Sequence, residues 1–205
     1  VTVSSIDLWY ATRATGIAAL VLLTATMVLG IGIAGRAPHT LPAFARAEVH
    51  RRISLLTVVF LAIHVLTSVL DTYVHINWTS IVLPFTSSYH TGWLALGTIG
   101  VDAFIAVGIS SMVRHRIPAR TWRAFHWLAY LSWPVAVAHT LGMGTDARLS
   151  WVLGLVAACI ASVVGTTAWR VAGALRARAA LPSTAVPARP TLRRTPVVVA
   201  EGSPR

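Results

Sequence analysis

The residues best suited to chemistry in this chain are four histidines that form two matched pairs on apolar segments. His50 and His64 are 14 residues apart (64 − 50), and His126 and His139 are 13 apart (139 − 126). In α-helix these separations are about 21 Å and about 20 Å of rise. If the two segments run parallel across a bilayer, the rings meet at two heights, His50 with His126 and His64 with His139. An imidazole from each side is the axial ligation of a b-type haem, so the pattern implies two haems stacked across a membrane. One intramembrane histidine alone is as readily a polar packing group. Two pairs at matched spacing are hard to obtain by accident.

Facing also has to work. Fourteen residues at about 100° each return to within about 40°, so His50 and His64 share a helix face, whereas thirteen end about 140° away. Pro134 lies between His126 and His139. A proline inside a helix removes a hydrogen bond and kinks it, so the spacing predicts a distortion near Pro134 that turns His139 toward His64.

The elements that must carry these residues are membrane spans. The 205 residues are 56% hydrophobic and only 11% charged, too apolar a balance for a soluble domain of this size. Five segments approach the roughly 20 apolar residues a span needs: about 8–34, 49–71, 92–113, 122–142 and 150–174. The expected fold is therefore an all-α integral membrane bundle of five transmembrane helices. Residues 72–91 read as an interfacial loop broken by Pro84, with a sixth span there as the alternative. No signal-peptide pattern opens the sequence, so the first apolar run is expected to stay as a span.

The net charge is +11 and every basic residue is arginine. Arg36, Arg46, Arg51 and Arg52 flank the first connection, and Arg114, Arg116, Arg120 and Arg123 the third; Arg170, Arg176 and Arg178 follow the fifth segment. The opposite side holds only Arg13 and Arg148. By the positive-inside rule the N-terminus lies outside and the C-terminus in the cytoplasm, which accounts for the basic excess without nucleic acid. The expected setting is a bacterial plasma membrane, crossed several times. Residues 1–175 form the transmembrane unit, and 176–205, rich in Pro, Ser, Thr and Arg, read as a disordered basic cytoplasmic tail. The single cysteine, Cys159, excludes an intramolecular disulfide and a cysteine-held iron–sulfur cluster.

Haem carboxylates need cations near the membrane surface. Arg51 and Arg52 beside His50, and Arg123 one turn before His126, suit the inner haem; ordinary positive-inside placement explains them equally well. Arg13, where positive charge is scarce, suits an outer carboxylate or an acceptor, with snorkelling to the headgroups as its plain explanation. Asp102 in the third span is costly unless paired or protonated. His75 and His90 lie in the outer segment, and His39 and His115 in cytoplasmic connections. Gly16, Gly30, Gly97, Gly100 and Gly108 permit close approach of a helix or a flat ring.

Leu-Trp-Tyr-x-x-Arg-Ala-Thr-Gly at 8–16, His50-x13-His64, Leu-Pro-Phe at 83–85, Ser-Ser-Tyr at 87–89 and Trp122-Arg-x-x-His126-x12-His139 together resemble the ferric reductase-like transmembrane domain family over roughly residues 8–145. That family includes the haem core of NADPH oxidases and ferric reductases, and the haem membrane subunit serving a periplasmic methionine sulfoxide reductase. The resemblance implies b-type haems on His50/His126 and His64/His139, with electrons moving outward, as one component of an oxidoreductase. The cytoplasmic flavin and nicotinamide module of NADPH oxidases and ferric reductases is not expected in this chain, since no G-x-G-x-x-G follows a strand. A quinol or a separate reductase is then the expected donor. An extracytoplasmic flavin- or molybdenum-containing protein, or a larger membrane complex, is the expected partner, and a flavin in place of one haem remains open. Two other readings are a quinol-oxidising subunit of the cytochrome b6 kind, which shares the histidine spacing, and a non-redox structural membrane subunit.

Overall fold

A computed structural model describes residues 4–33, 42–72, 74, 76–143 and 145–180. About 85% of these are helical, with no strand among them. The helices are α1 (Ser5–Ile33), α2 (Ala43–Leu70), α3 (Thr91–Met112), α4 (Ala119–His126), α5 (Leu128–Met143) and α6 (Ser150–Ala179). Two short 3-10 turns, Trp78–Ile81 and Thr145–Arg148, sit in the connections. Among the described residues four helices, α1, α2, α3 and α6, are long and apolar enough to cross a membrane.

The burial pattern fits that setting. Thr57 is the only buried residue of α2, while Leu55, Leu56, Val58, Val59, Ile63 and Leu66 are all exposed. An apolar surface this continuous is out of place in water, because monomeric soluble proteins rarely expose more than a few hundred Å² of it in one patch. Alkyl chains are its natural solvent.

α1 packs along α2, and α3 along α5; α1 also touches α5 and α6 and so joins the two hairpins. The core lies at that junction, from Leu20, Leu23, Met27 and Ile31 of α1, Trp133 and Val137 of α5, and Val152, Val156 and Val163 of α6. A buried polar latch crosses it: Trp133 Nε1–H donates to Thr24 Oγ1 at 2.9 Å, and the Thr24 hydroxyl donates to the Leu20 carbonyl. Neither indole nor hydroxyl is left unpaired in an apolar core, where that would cost about 1–3 kcal/mol.

The loop before α3 is tied down by its own polar groups. Thr98 Oγ1 donates to the Ser80 carbonyl at 2.7 Å, and Thr86 Oγ1 to Ser80 Oγ. Apart from the turn at Trp78–Ile81, the described residues of 72–90 are irregular.

The fourth apolar segment differs from expectation in where it bends. Helix continues through Pro134, whose ring is exposed. The break lies at Trp127, immediately after His126, where the Tyr130 N–H bonds back to the Trp127 carbonyl at 3.0 Å, an i to i+3 link. A 3-10 turn winds about 120° per residue against about 100° in an α-helix, so it moves His139 in the direction needed to reduce its offset from His126. The missing proline N–H deprives the Tyr130 carbonyl, and the tightening occurs in the turn before that residue.

Candidate ligand site at two histidine layers

His50 and His64 lie on one face of α2, against α1. The antiparallel register of α1 and α2 sets Gly16 against His64 and Gly30 against His50, and both pairs of numbers sum to 80. On the other hairpin Gly97 of α3 lies against His139 of α5. These glycines make room for imidazoles rather than for a helix backbone. A Cβ on Gly16 would stand 2.9 Å from the His64 ring, one on Gly97 2.6 Å from the His139 ring, and one on Gly30 3.3 Å from the His50 ring. Gly100 meets Val135 at ordinary contact distance, and Gly108 has open space around it.

The same turns aim the His64 and His139 rings. His64 Nδ1–H donates to the Thr12 carbonyl at 2.8 Å, and His139 Nδ1–H to the Trp93 carbonyl at 2.8 Å. Each carbonyl lies four residues before the glycine under the ring, so the same helical turn supplies both the space and the acceptor. A carbonyl can only accept, so Nδ1 carries the proton and Nε2 keeps its lone pair. His50 faces Thr26, four residues before Gly30, but its Nδ1 does not reach hydrogen-bonding geometry, and His126 Nδ1 also has no partner.

The rings meet in two pairs. The centroids of His64 and His139 are 6.4 Å apart, and those of His50 and His126 are 6.5 Å apart. A bond from imidazole nitrogen to a transition metal is about 2 Å and the ring centroid lies about 1.1 Å behind the nitrogen, so two imidazoles on opposite sides of one metal have centroids about 6.2–6.4 Å apart. The His64–His139 gap has that width and the His50–His126 gap is about 0.1 Å wider. Among the described residues no group of three or more His, Cys, Asp or Glu side chains is gathered for a metal. Each pair consists of two imidazoles, edge-on to one another.

The His64–His139 pair opens on a cavity of about 330 Å³ running between α1, α2, α3 and α5. Its walls include Leu20, Leu23, Leu61, Val65, Val101 and Phe104, with Thr57 and Ser132 at its depth. Apolar walls around a few polar groups are the usual make-up of a small-molecule pocket. Arg13 also lines it, pairs with Asp146 at 2.5 Å and lies over the Trp9 ring at 3.9 Å.

The expected inner cations are placed differently. Arg51 and Arg52 are exposed, at 63% and 75%, and both bind Glu48, at 2.8 and 2.7 Å. One and two residues beyond His50, they are turned from it by about 100° and about 200° of helix. Arg123 is exposed. Arg46, one turn before His50, is instead drawn inward: its Nε and Nη1 are buried without a hydrogen-bond partner. Trp122, one turn before His126, stacks on that ring at 5.0 Å with its own Nε1 buried and unpartnered.

Of the other singled-out residues, Asp102 is half-buried on α3 and does not line the cavity. His90 caps α3 in left-handed backbone, exposed, its ring edge-on to Tyr89. His115 is exposed in the turn after α3. His39, His75 and residues 181–205 of the tail lie outside the described residues. Arg46, Trp122 and the carbonyl–glycine turns carry weight that the histidine spacing does not reveal. One signal for them was present: Thr12-x3-Gly16 recurs as Thr26-x3-Gly30, at the same 14-residue offset as His50 and His64.

Comparison of the chain with family models, curated proteins and solved structures finds no match.

Proposed function

We propose that this chain is a di-haem b-type membrane cytochrome of the ferric reductase-like kind, relaying electrons across a membrane between separate partners. The observation that carries this is the His64–His139 pair: two imidazoles opposed at the width of a bis-imidazole metal site, with both tautomers set by backbone carbonyls. The His50–His126 pair repeats the width at the other end of α2. A haem held this way supplies a one-electron iron couple.

The chain's own groups do the rest. Nε2 of each histidine is the donor atom, and in His64 and His139 the Nδ1–H bond to a carbonyl raises its basicity and fixes the ring plane. Gly16, Gly30 and Gly97 let the rings stand where a side chain would otherwise be. Leu20, Leu61, Val101 and Phe104 exclude water from the outer layer. With a histidine from each side, a haem held in either layer would serve electron relay rather than activation of a substrate at the metal. In this reading α4 and α5 together form a fifth span, and the arginine-rich connections face the cytoplasm. The donor is a quinol or a cytoplasmic reductase, and the acceptor an extracytoplasmic protein.

The test is electron transfer through a sealed membrane. The purified full chain is placed in liposomes enclosing ferricyanide, and dithionite is added outside. The expected result is interior reduction many-fold faster than in protein-free liposomes, lost in His139→Ala. A haem-loaded chain that conducts no faster than bare liposomes would refute the relay.

A further inference from the structure

We infer, resting on the haem ligation proposed above, that Trp122 is the positioning residue of His126. It holds this ring by stacking, where a backbone carbonyl holds His64 and His139, and Arg114 pins the indole in turn.

The need arises from where His126 sits. It is the last residue of α4, a helix of eight residues, and the chain bends at the next one, Trp127. Helix ends fray, so a ligand there takes less orientation from its backbone than one in mid-helix. His64 and His139 lie within α2 and α5, and each is tied through Nδ1–H to a carbonyl of a neighbouring helix. His126 has no such bond, because its Nδ1 is buried without a partner. No hydrogen bond of Nδ1 therefore fixes the plane of this ring.

Trp122 fills that place. Residues four apart on a helix share a face. The Trp122 and His126 rings have centroids 5.0 Å apart and planes at 23°. An imidazole this close and this nearly parallel meets the indole if it turns edge-on, so the stack restricts its rotation. The contact spans one helical turn of α4 and needs no register between distant helices. The indole is itself held from outside α4. The guanidinium of Arg114, in the turn after α3, lies over the Trp122 ring at 5.2 Å, within the range of cation–π attraction. Among the described residues Arg114 makes no ion pair, and no Asp or Glu occurs between residues 103 and 145 to draw it away. The row Arg114, Trp122 and His126 thus runs from an exposed turn to the ring that faces His50, whose plane stands at 65° to that of His126.

The experiment follows the His126 ring in the full-length chain in detergent, first without haem and then with protohaem added. Proton resonances of the histidine-labelled, haem-free chain are assigned with His126→Ala. The His126 ring protons should be shifted upfield by the indole, an effect lost in Trp122→Leu and kept in part in Trp122→Phe. Protohaem is then titrated in a His139→Ala background, which isolates the His50–His126 layer. Trp122→Leu should lower its affinity about tenfold or more. It should also change the shape of the low-spin EPR signal, which depends on the angle between the two imidazole planes. Trp122→Phe should restore most of both, and Arg114→Gln should shift both in the same direction but less. In the chain with His139 intact, the His64–His139 layer should keep its affinity in every one of these variants. His126 resonances without the upfield shift, or an EPR signal unchanged in Trp122→Leu, would overturn the inference. So would an equal loss at both layers, which marks a merely structural residue. A wild-type chain that shows the upfield shift yet binds no protohaem would refute the haem reading itself, and with it the role of Trp122 as holder of a ligand.

Discussion

Placing a methyl group on Gly97 should disable the outer layer, and the size of the effect follows from the geometry. The new Cβ would stand 2.6 Å from the His139 ring, against about 3.4 Å for the closest ordinary contact, so ring or helix must yield by about 0.8 Å (3.4 − 2.6). The ring has little freedom to yield, because Nδ1–H is tied to the Trp93 carbonyl in the same turn. A displacement of that size either breaks the bond or moves the ring relative to His64. Losing a supporting contact of a metal-bound histidine typically costs 10–100-fold in affinity, or about 1.4–2.8 kcal/mol. Gly16→Ala, at 2.9 Å, should be milder, and Gly30→Ala, at 3.3 Å, milder still and confined to the inner layer. Gly108→Ala, with nothing within 4 Å, is the control, and should stabilise α3 by up to about 1 kcal/mol through helix propensity. The assay is haem titration of the purified variants, followed by low-temperature difference spectra that separate the layers. Unchanged outer-layer affinity in Gly97→Ala, or a larger loss in Gly30→Ala than in Gly97→Ala, would refute the reasoning.

Two further outcomes follow from the polar contacts. Asp146→Asn removes the charge partner of Arg13, but the side chains are 21% and 36% exposed, so thermal denaturation should show a loss under about 1 kcal/mol, smaller at high salt. A loss above about 3 kcal/mol would mean the pair behaves as a buried one. Trp133→Phe removes the N–H to Thr24 and shrinks a core ring, and should lower stability by about 1–3 kcal/mol with the spectra unchanged, since the indole faces Thr24 rather than a histidine. A shifted spectrum would place Trp133 among the groups that tune the layers.

The four histidines and the apolar segments around them were legible because type, spacing and hydropathy are properties of the chain itself. The helical character and the non-spanning loop after α2 followed from the same properties. The bend was not. Pro134 marks a lost hydrogen bond, yet the helix absorbs it and tightens at Trp127, a residue with no propensity to break a helix. Which arginine turns inward was also hidden. Arg46, Arg51 and Arg52 differ only in helical phase and in the presence of Glu48, and the side chain one full turn from His50 shares its face while its immediate neighbours do not. The purpose of Gly16, Gly30 and Gly97 depended on inter-helix register, which no single segment contains.

The central claim is that the two histidine pairs hold two haems. Its most direct test is the haem content and the reduced-minus-oxidised spectrum of the purified full chain beside its four single histidine-to-alanine variants. Two low-spin b-type haems per chain are predicted, with His64→Ala and His139→Ala each losing the same one and His50→Ala and His126→Ala each losing the other. A chain purified from haem-replete cells with no b-type absorbance, or four variants that each retain both haems, would contradict it.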